Sequence, residues 1–193
     1  MKKDLILIGN KQNIKNISDI VDSYDYVLRV NRMQNYGLSG YRIDGLYICI
    51  WQQYLDLLTP EQHEITLKAK RIYTEPRNVP YFKMHWQQIC TEEQYRNHGL
   101  FRFLNIGFDR IIPNRLPNQC PTSTFKLLDY LLTTPEWMDN YNITITGIDI
   151  EGRGDLLNNG KEWDGTTHKT VGEAEANFVL NNVKLGNIKY LSA

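Results

Sequence analysis

Leu5-Ile-Leu-Ile-Gly9-Asn10 is the stretch whose reading decides the fold. Four apolar residues in a row, too few for a helix, describe a strand buried on both faces. Gly-Asn tolerates the tight turn that ends it. Working outward, Asn16 or Ser18 is placed to cap a short helix that packs Ile20 and Val21 inward. Tyr26–Val30 reads as a second strand and Gly45–Trp51 as a third. Thr59-Pro-Glu-Gln62 has the form of a capping box with proline at the first helical position, opening a helix to about Lys70. Arg71–Thr74 is a fourth strand. This alternation predicts an α/β fold: a single Rossmann-like domain with a mostly parallel sheet and helices on both faces.

The rhythm breaks over residues 75–118, which are rich in Asn, Pro, Tyr and His. Only Thr91–Tyr95 has a helical look there. An irregular region of this length inside a compact domain covers a site or meets a partner. Order returns with a helix at Ser123–Leu132, a strand at Ile143–Thr146, a helix from about His168 to Asn182 and a strand at Ile188–Leu191. No repeat, low-complexity tract or linker divides the chain, so residues 1–193 are read as one domain.

Twenty-two basic and twenty-two acidic residues leave no net charge, which argues against general attraction to nucleic acid or anionic lipid. Cys49, Cys90 and Cys120 are widely spaced and odd in number, neither a disulfide framework nor a zinc pattern, and fit a reducing compartment. The apolar run at Leu5–Ile8 is too short for a signal peptide, and no stretch approaches the ~20 apolar residues of a membrane span. A cytoplasmic location is expected. Twelve tyrosines and four tryptophans suit a carbohydrate surface or a core, and a short chain so rich in aromatics is compatible with a homodimer.

Ligands of open α/β sheets lie beyond the carboxyl ends of the strands. Gly9, Asn10, Asn31, Gly147 and Asp149 all fall at that edge. Glycine admits close backbone approach, and an asparagine amide both donates to and accepts from a base or sugar hydroxyl. Each position also has a plain reading, as a turn or a strand end. No Gly-x-Gly-x-x-Gly or Walker lysine follows the first strand, which disfavours dinucleotide and NTP cradles. Pro121-Thr-Ser-Thr124 opens an apolar helix, where its hydroxyls and N–H groups either hold an anion or simply cap. His168 stands at an expected helix start, whose dipole disfavours imidazolium and so favours a neutral, proton-accepting ring. Glu173 follows five residues later, and Arg153, Lys161 and Trp163 lie in the Gly/Asn-rich loop before the histidine.

Taken together, these segments resemble the sialyltransferases. Gly9-Asn10 with Asp25-Tyr-Val27 and Arg29-Val-Asn31 is similar to the large sialyl motif of the animal-type family. Pro121-Thr-Ser123 with Thr144-Ile-Thr-Gly147 resembles the small motif, and His168 with Glu173 matches the His-x₄-Glu of the very small motif. The Gly147-Ile-Asp149 ending also resembles the bacterial Campylobacter-type enzymes. The resemblance implies a GT-A-like sialyltransferase variant: an inverting transferase for a CMP-sugar and a glycan acceptor, with no metal and no cofactor. Asn10 and Asn31 then contact CMP, Thr122 and Ser123 hold the nucleotide or the sugar carboxylate, and His168 is the general base. Donors or a cation to meet the departing phosphate, Arg153 or Lys161, are required by charge rather than carried over.

Three departures stand out. Thr124 replaces the family's glycine, the chain is short for an acceptor lid, and the cysteines that join the motifs in animal enzymes are unmatched. Two other readings remain open. Asp149-Ile-Glu151 resembles the Asp-x-Asp metal site of sugar transferases that use UDP- or GDP-sugars. A catalytically inactive nucleotide-binding or scaffold subunit of a glycan assembly system also fits Thr124.

Overall fold

The structure is a computed structural model that describes residues 1–11, 14–48, 59–78, 80, 87, 92–93, 101–104, 111, 121–148, 150 and 172–193. Its elements are β1 (Lys3–Ile8), α1 (Ser18–Asp22), β2 (Tyr26–Val30), β3 (Gly45–Ile48), α2 (Pro60–Thr66), β4 (Ile72–Thr74), β5 (Phe101–Phe103), α3 (Ser123–Thr133), α4 (Pro135–Asn140), β6 (Tyr141–Thr146), α5 (Gly172–Lys184) and β7 (Ile188–Tyr190).

The strands form one seven-stranded sheet in the order β5-β4-β3-β2-β1-β6-β7. All six pairings are parallel. The mostly parallel α/β sheet expected from the sequence is therefore wholly parallel. β1 is its pivot: β2 to β5 lie on one side and β6 and β7 on the other. Along β1 the register with β6 runs from Lys3 opposite Tyr141 to Ile8 opposite Thr146.

Alternate residues of β1 enter two cores, because successive side chains of a strand point to opposite faces. Leu5 and Leu7 pack in a cluster with Phe125, Leu128 and Leu131 of α3 and Val179 of α5. Ile6 and Ile8 pack with Ile14, Ile17 and Val21 around α1. Helices thus cover both faces. Each such buried aliphatic or aromatic side chain contributes roughly 1.5–3 kcal/mol.

Several local expectations are corrected. The cap of α1 is Ile17; Asn16 instead accepts the Ser18 N–H at 3.0 Å. Val21 is buried, but Ile20 is 48% exposed, since a five-residue helix presents only one narrow face to the sheet. The Thr59–Gln62 capping box forms as read, yet α2 ends at Thr66 rather than near Lys70. β5 lies within the stretch read as irregular; its three residues are too few to show a period, and their pairing with β4 makes the strand. α4, opened by Pro135 at its first turn, is likewise too short to have been legible.

Candidate functional site

The reversal of strand order at β1 makes its carboxyl end the topological switch point, the place where ligands of open α/β sheets bind. The neighbouring ends there are Gly9-Asn10 after β1 and Gly147-Ile148 after β6. The two segments run on past the strands still bonded: Gly9 N donates to Thr146 O at 2.9 Å and Lys11 N to Gly147 O at 2.8 Å. A Cβ on Gly9 would lie 2.4 Å from Gly147 O, so only glycine fits. Gly147 has φ +62°, the left-handed region that favours glycine.

Asn10 ties this edge to the end of β2. Its Nδ2 donates to Val30 O at 3.2 Å, and its Oδ1 accepts the Gln34 N–H at 3.3 Å. That leaves the Asn10 amide one hydrogen and one lone pair for other use. Asn31, next along, is itself left-handed with φ 46°. Its Nδ2 donates to Ser123 Oγ at 2.8 Å, joining the end of β2 to the first turn of α3.

At the start of α3, Thr122 is the N-cap residue but its side chain caps nothing. Its Oγ1 is buried with no partner among the described residues. The backbone N–H of Thr122 instead donates to Glu175 Oε1 at 2.5 Å, and Glu175 is buried in α5. Ser123 and Thr124 begin the helix, so their N–H groups have no acceptor within it. Those donors, the helix dipole and an unspent hydroxyl favour an anion at this end of α3, and the Glu175 carboxylate already takes part of that place.

In outline the chain is similar to a solved sialyltransferase structure. That structure is CstII from Campylobacter jejuni in complex with a substrate analogue, CMP-3FNeuAc; the match covers 97% of this chain and 78% of that one, with a TM-score of 0.49 and 14% sequence identity. No protein-family model matches the chain, and no curated protein matches it.

Of the residues singled out in the sequence, the fold brings Gly9, Asn10, Asn31, Thr122, Ser123 and Gly147 to one edge of the sheet. Asp149, Glu151, Arg153, Lys161, Trp163 and His168 lie outside the described residues, as do Cys49, Cys90 and Cys120 and most of 75–118. Glu173 sits in the first turn of α5. Asp25 lies at the opposite edge, where its carboxylate accepts the Asp4 N–H at 2.8 Å, so that part of the first motif is structural. No helix among the described residues is long and apolar enough to cross a membrane. No group of three or more His, Cys, Asp or Glu among them is placed to hold a metal ion.

Arg29 is the residue whose place the sequence reading did not foresee. It is wholly buried, with Nε donating to Arg42 O, Nη1 to Ser39 Oγ and Nη2 to the carbonyls of Ser39 and Gly40, at 2.7–2.9 Å. Burial pushes its pKa down to about 10, against the opposing pull of Asp22 and Tyr36. Its hydrogen bonds are made inside the protein, so it serves as an internal anchor. Glu175, Asn35 and Ser39 were also missed. Single polar residues in a helix or loop have no periodic or motif signal, and only their partners reveal them.

Proposed function

We propose that this chain transfers a sugar, sialic acid or a relative, from a CMP-activated donor to a glycan hydroxyl, with inversion and without a metal. The observation that carries the reading is the Asn31–Ser123 hydrogen bond. It joins the two segments that resemble the large and small sialyl motifs, at the switch point of a parallel sheet. The unspent Thr122 hydroxyl and the α3 N-terminus beside it suit a phosphate or a sugar carboxylate.

In this reading Gly9, Asn10 and Asn31 receive the CMP moiety, Thr122 and Ser123 the nucleotide or sugar carboxylate, and Gly147 and Asp149 are further substrate-binding residues. The acceptor oxygen forms a bond to the anomeric carbon as the bond from that carbon to the CMP phosphate breaks. His168 takes the acceptor's proton, with Glu173 to orient or balance it, and Arg153 meets the charge on the departing CMP. The Glu175–Thr122 contact supports that assignment, because it fastens the first turns of α5, just after His168 in sequence, to the start of α3. Positioned general-base catalysis contributes ~10²–10⁴-fold. The acceptor is a surface-glycan precursor, and the donor is a substrate rather than a cofactor.

The test is calorimetric titration of the purified protein with CMP, UDP and GDP, each with and without Mg²⁺ or Mn²⁺. Selective binding of CMP that ignores the metal supports the proposal. Metal-dependent binding of UDP or GDP transfers the reading to Asp149 and Glu151. Absence of all three affinities leaves a scaffold role.

A further inference from the structure

We infer that Asn35 is the positioning residue of this strand end: it holds the Gly9-Asn10-Lys11 segment so that the Asn10 N–H is offered to the ligand. This rests on the nucleotide reading above for its function, though not for its geometry.

Asn35 is 3% exposed and follows two residues with left-handed backbone, Asn31 and Met33, the latter with φ 52°. Such conformations in non-glycine residues persist only where surrounding bonds over-determine them. The Asn35 side chain is itself held by several bonds. Its Nδ2 donates to Gly9 O at 2.8 Å and to Lys11 O at 3.3 Å. Its Oδ1 and its backbone carbonyl are both within reach of the Ser39 hydroxyl, at 2.9 and 2.8 Å. Ser39 Oγ in turn accepts from the buried Arg29 guanidinium. The same amide nitrogen would lie 3.0 Å from a Cβ at Gly147, so Asn35 also abuts the end of β6.

Donors and acceptors run in one sense from a buried cation, through Ser39 and Asn35, to two carbonyls of the segment after β1. Hydrogen bonds in such a chain polarise one another. The consequence falls on that segment. Its first and third carbonyls are drawn to Asn35, while its first and third N–H groups are taken by Thr146 O and Gly147 O. The Asn10 N–H between them donates to no atom among the described residues. An unspent backbone donor at the switch point, held in place from both sides, is a recognition group for a phosphate or sugar oxygen.

The experiment compares the full chain with Asn35→Ala, Asn35→Asp, Ser39→Ala and a control, Val21→Ala, which thins the core on the α1 side. Amide hydrogen exchange is followed by NMR, and CMP affinity by calorimetry, at a temperature where each variant is folded. In Asn35→Ala, exchange at Lys11 is expected to rise about tenfold more than at Leu7, and CMP to bind about tenfold more weakly. Asn35→Asp sets a carboxylate against two carbonyls and should do more; Ser39→Ala leaves both donors and should do less. Val21→Ala should leave CMP affinity unchanged. If Lys11 and Leu7 accelerate together, or Val21→Ala weakens CMP as much, the inference is overturned. A wild-type chain that fails to bind CMP while Lys11 is selectively loosened retires the nucleotide reading and keeps the positioning role. Should Asn35→Ala not fold, Ser39→Ala is read with a smaller expected rise at Lys11, and equal acceleration of Lys11 and Leu7 there overturns the inference.

Discussion

Asn31 Nδ2 lies 2.8 Å from Ser123 Oγ, a hydrogen bond between residues 92 positions apart. It joins the end of β2 to the first turn of α3, the two segments that the proposed site draws on. Disrupting it tests that site directly. Asn31→Ala and Ser123→Ala are each expected to weaken CMP binding about three- to tenfold, the worth of a single net hydrogen bond. The double variant should be no weaker than the worse single one. Full additivity in the calorimetric cycle would show that the two side chains do not act together.

Gly9 is dictated by contact rather than by a turn. Gly9→Ala drives a methyl group to 2.4 Å from Gly147 O and 2.6 Å from Ile148 Cγ2, and neither neighbour is a flexible side-chain end. A loss of about 1–3 kcal/mol or more is expected by urea unfolding. The β1–β6 edge should distort with it, so CMP affinity should fall even where the variant is folded.

Tyr26 links stability to alkaline pH. Burial, then the neighbouring Tyr73 phenol, raise its pKa above the ordinary 10.0. The folded state therefore keeps a proton that the unfolded state loses near pH 10. That contribution is fully present below pH 10 and is lost above it, by about 1.4 kcal/mol per pH unit. Arg29, depressed to about 10, has the opposite sign: its burial costs stability below that pH and the cost is relieved as pH rises toward 12.5. Comparing wild type with Tyr26→Phe cancels the Arg29 effect. The wild-type advantage at pH 8 should shrink as pH rises above 10; a constant difference would contradict the raised pKa.

His168→Ala carries the mechanistic part of the proposal. Transfer from a CMP-sugar should fall by ~10²–10⁴-fold, while CMP affinity stays within about twofold of wild type. Retained transfer would remove His168 as the base. EDTA should change neither activity nor affinity in the wild-type protein.

Arg29 shows why a motif residue need not be a ligand residue. Arg29→Lys keeps the charge but cannot supply the fork that meets Ser39 and the carbonyls of Gly40 and Arg42. A loss of about 2–3 kcal/mol is expected in denaturant, left by carbonyls buried without donors.

Much of the fold was legible in the chain because its signals are local. Leu5–Ile8 is an apolar run of strand length, Tyr26–Val30 is one interrupted only by Arg29, and Thr59 and Gln62 are a capping box within four residues. β5 and α4 escaped notice because elements of three and six residues show no period. Gly9, Asn10, Asn31, Thr122, Ser123 and Gly147 were recognisable as residue types suited to a crevice.

By itself, then, the sequence determined the α/β alternation, the buried strands and the chemistry available at the strand ends, since burial pattern and side-chain type belong to each residue and its neighbours. Only the tertiary structure decided that β1 is the pivot of a wholly parallel sheet, that Arg29 faces inward, and that Asn35 bonds Gly9 and Lys11 while Glu175 bonds Thr122. Those are facts about partners distant in sequence, and a hydrogen bond exists only when folding brings both of its atoms to one place.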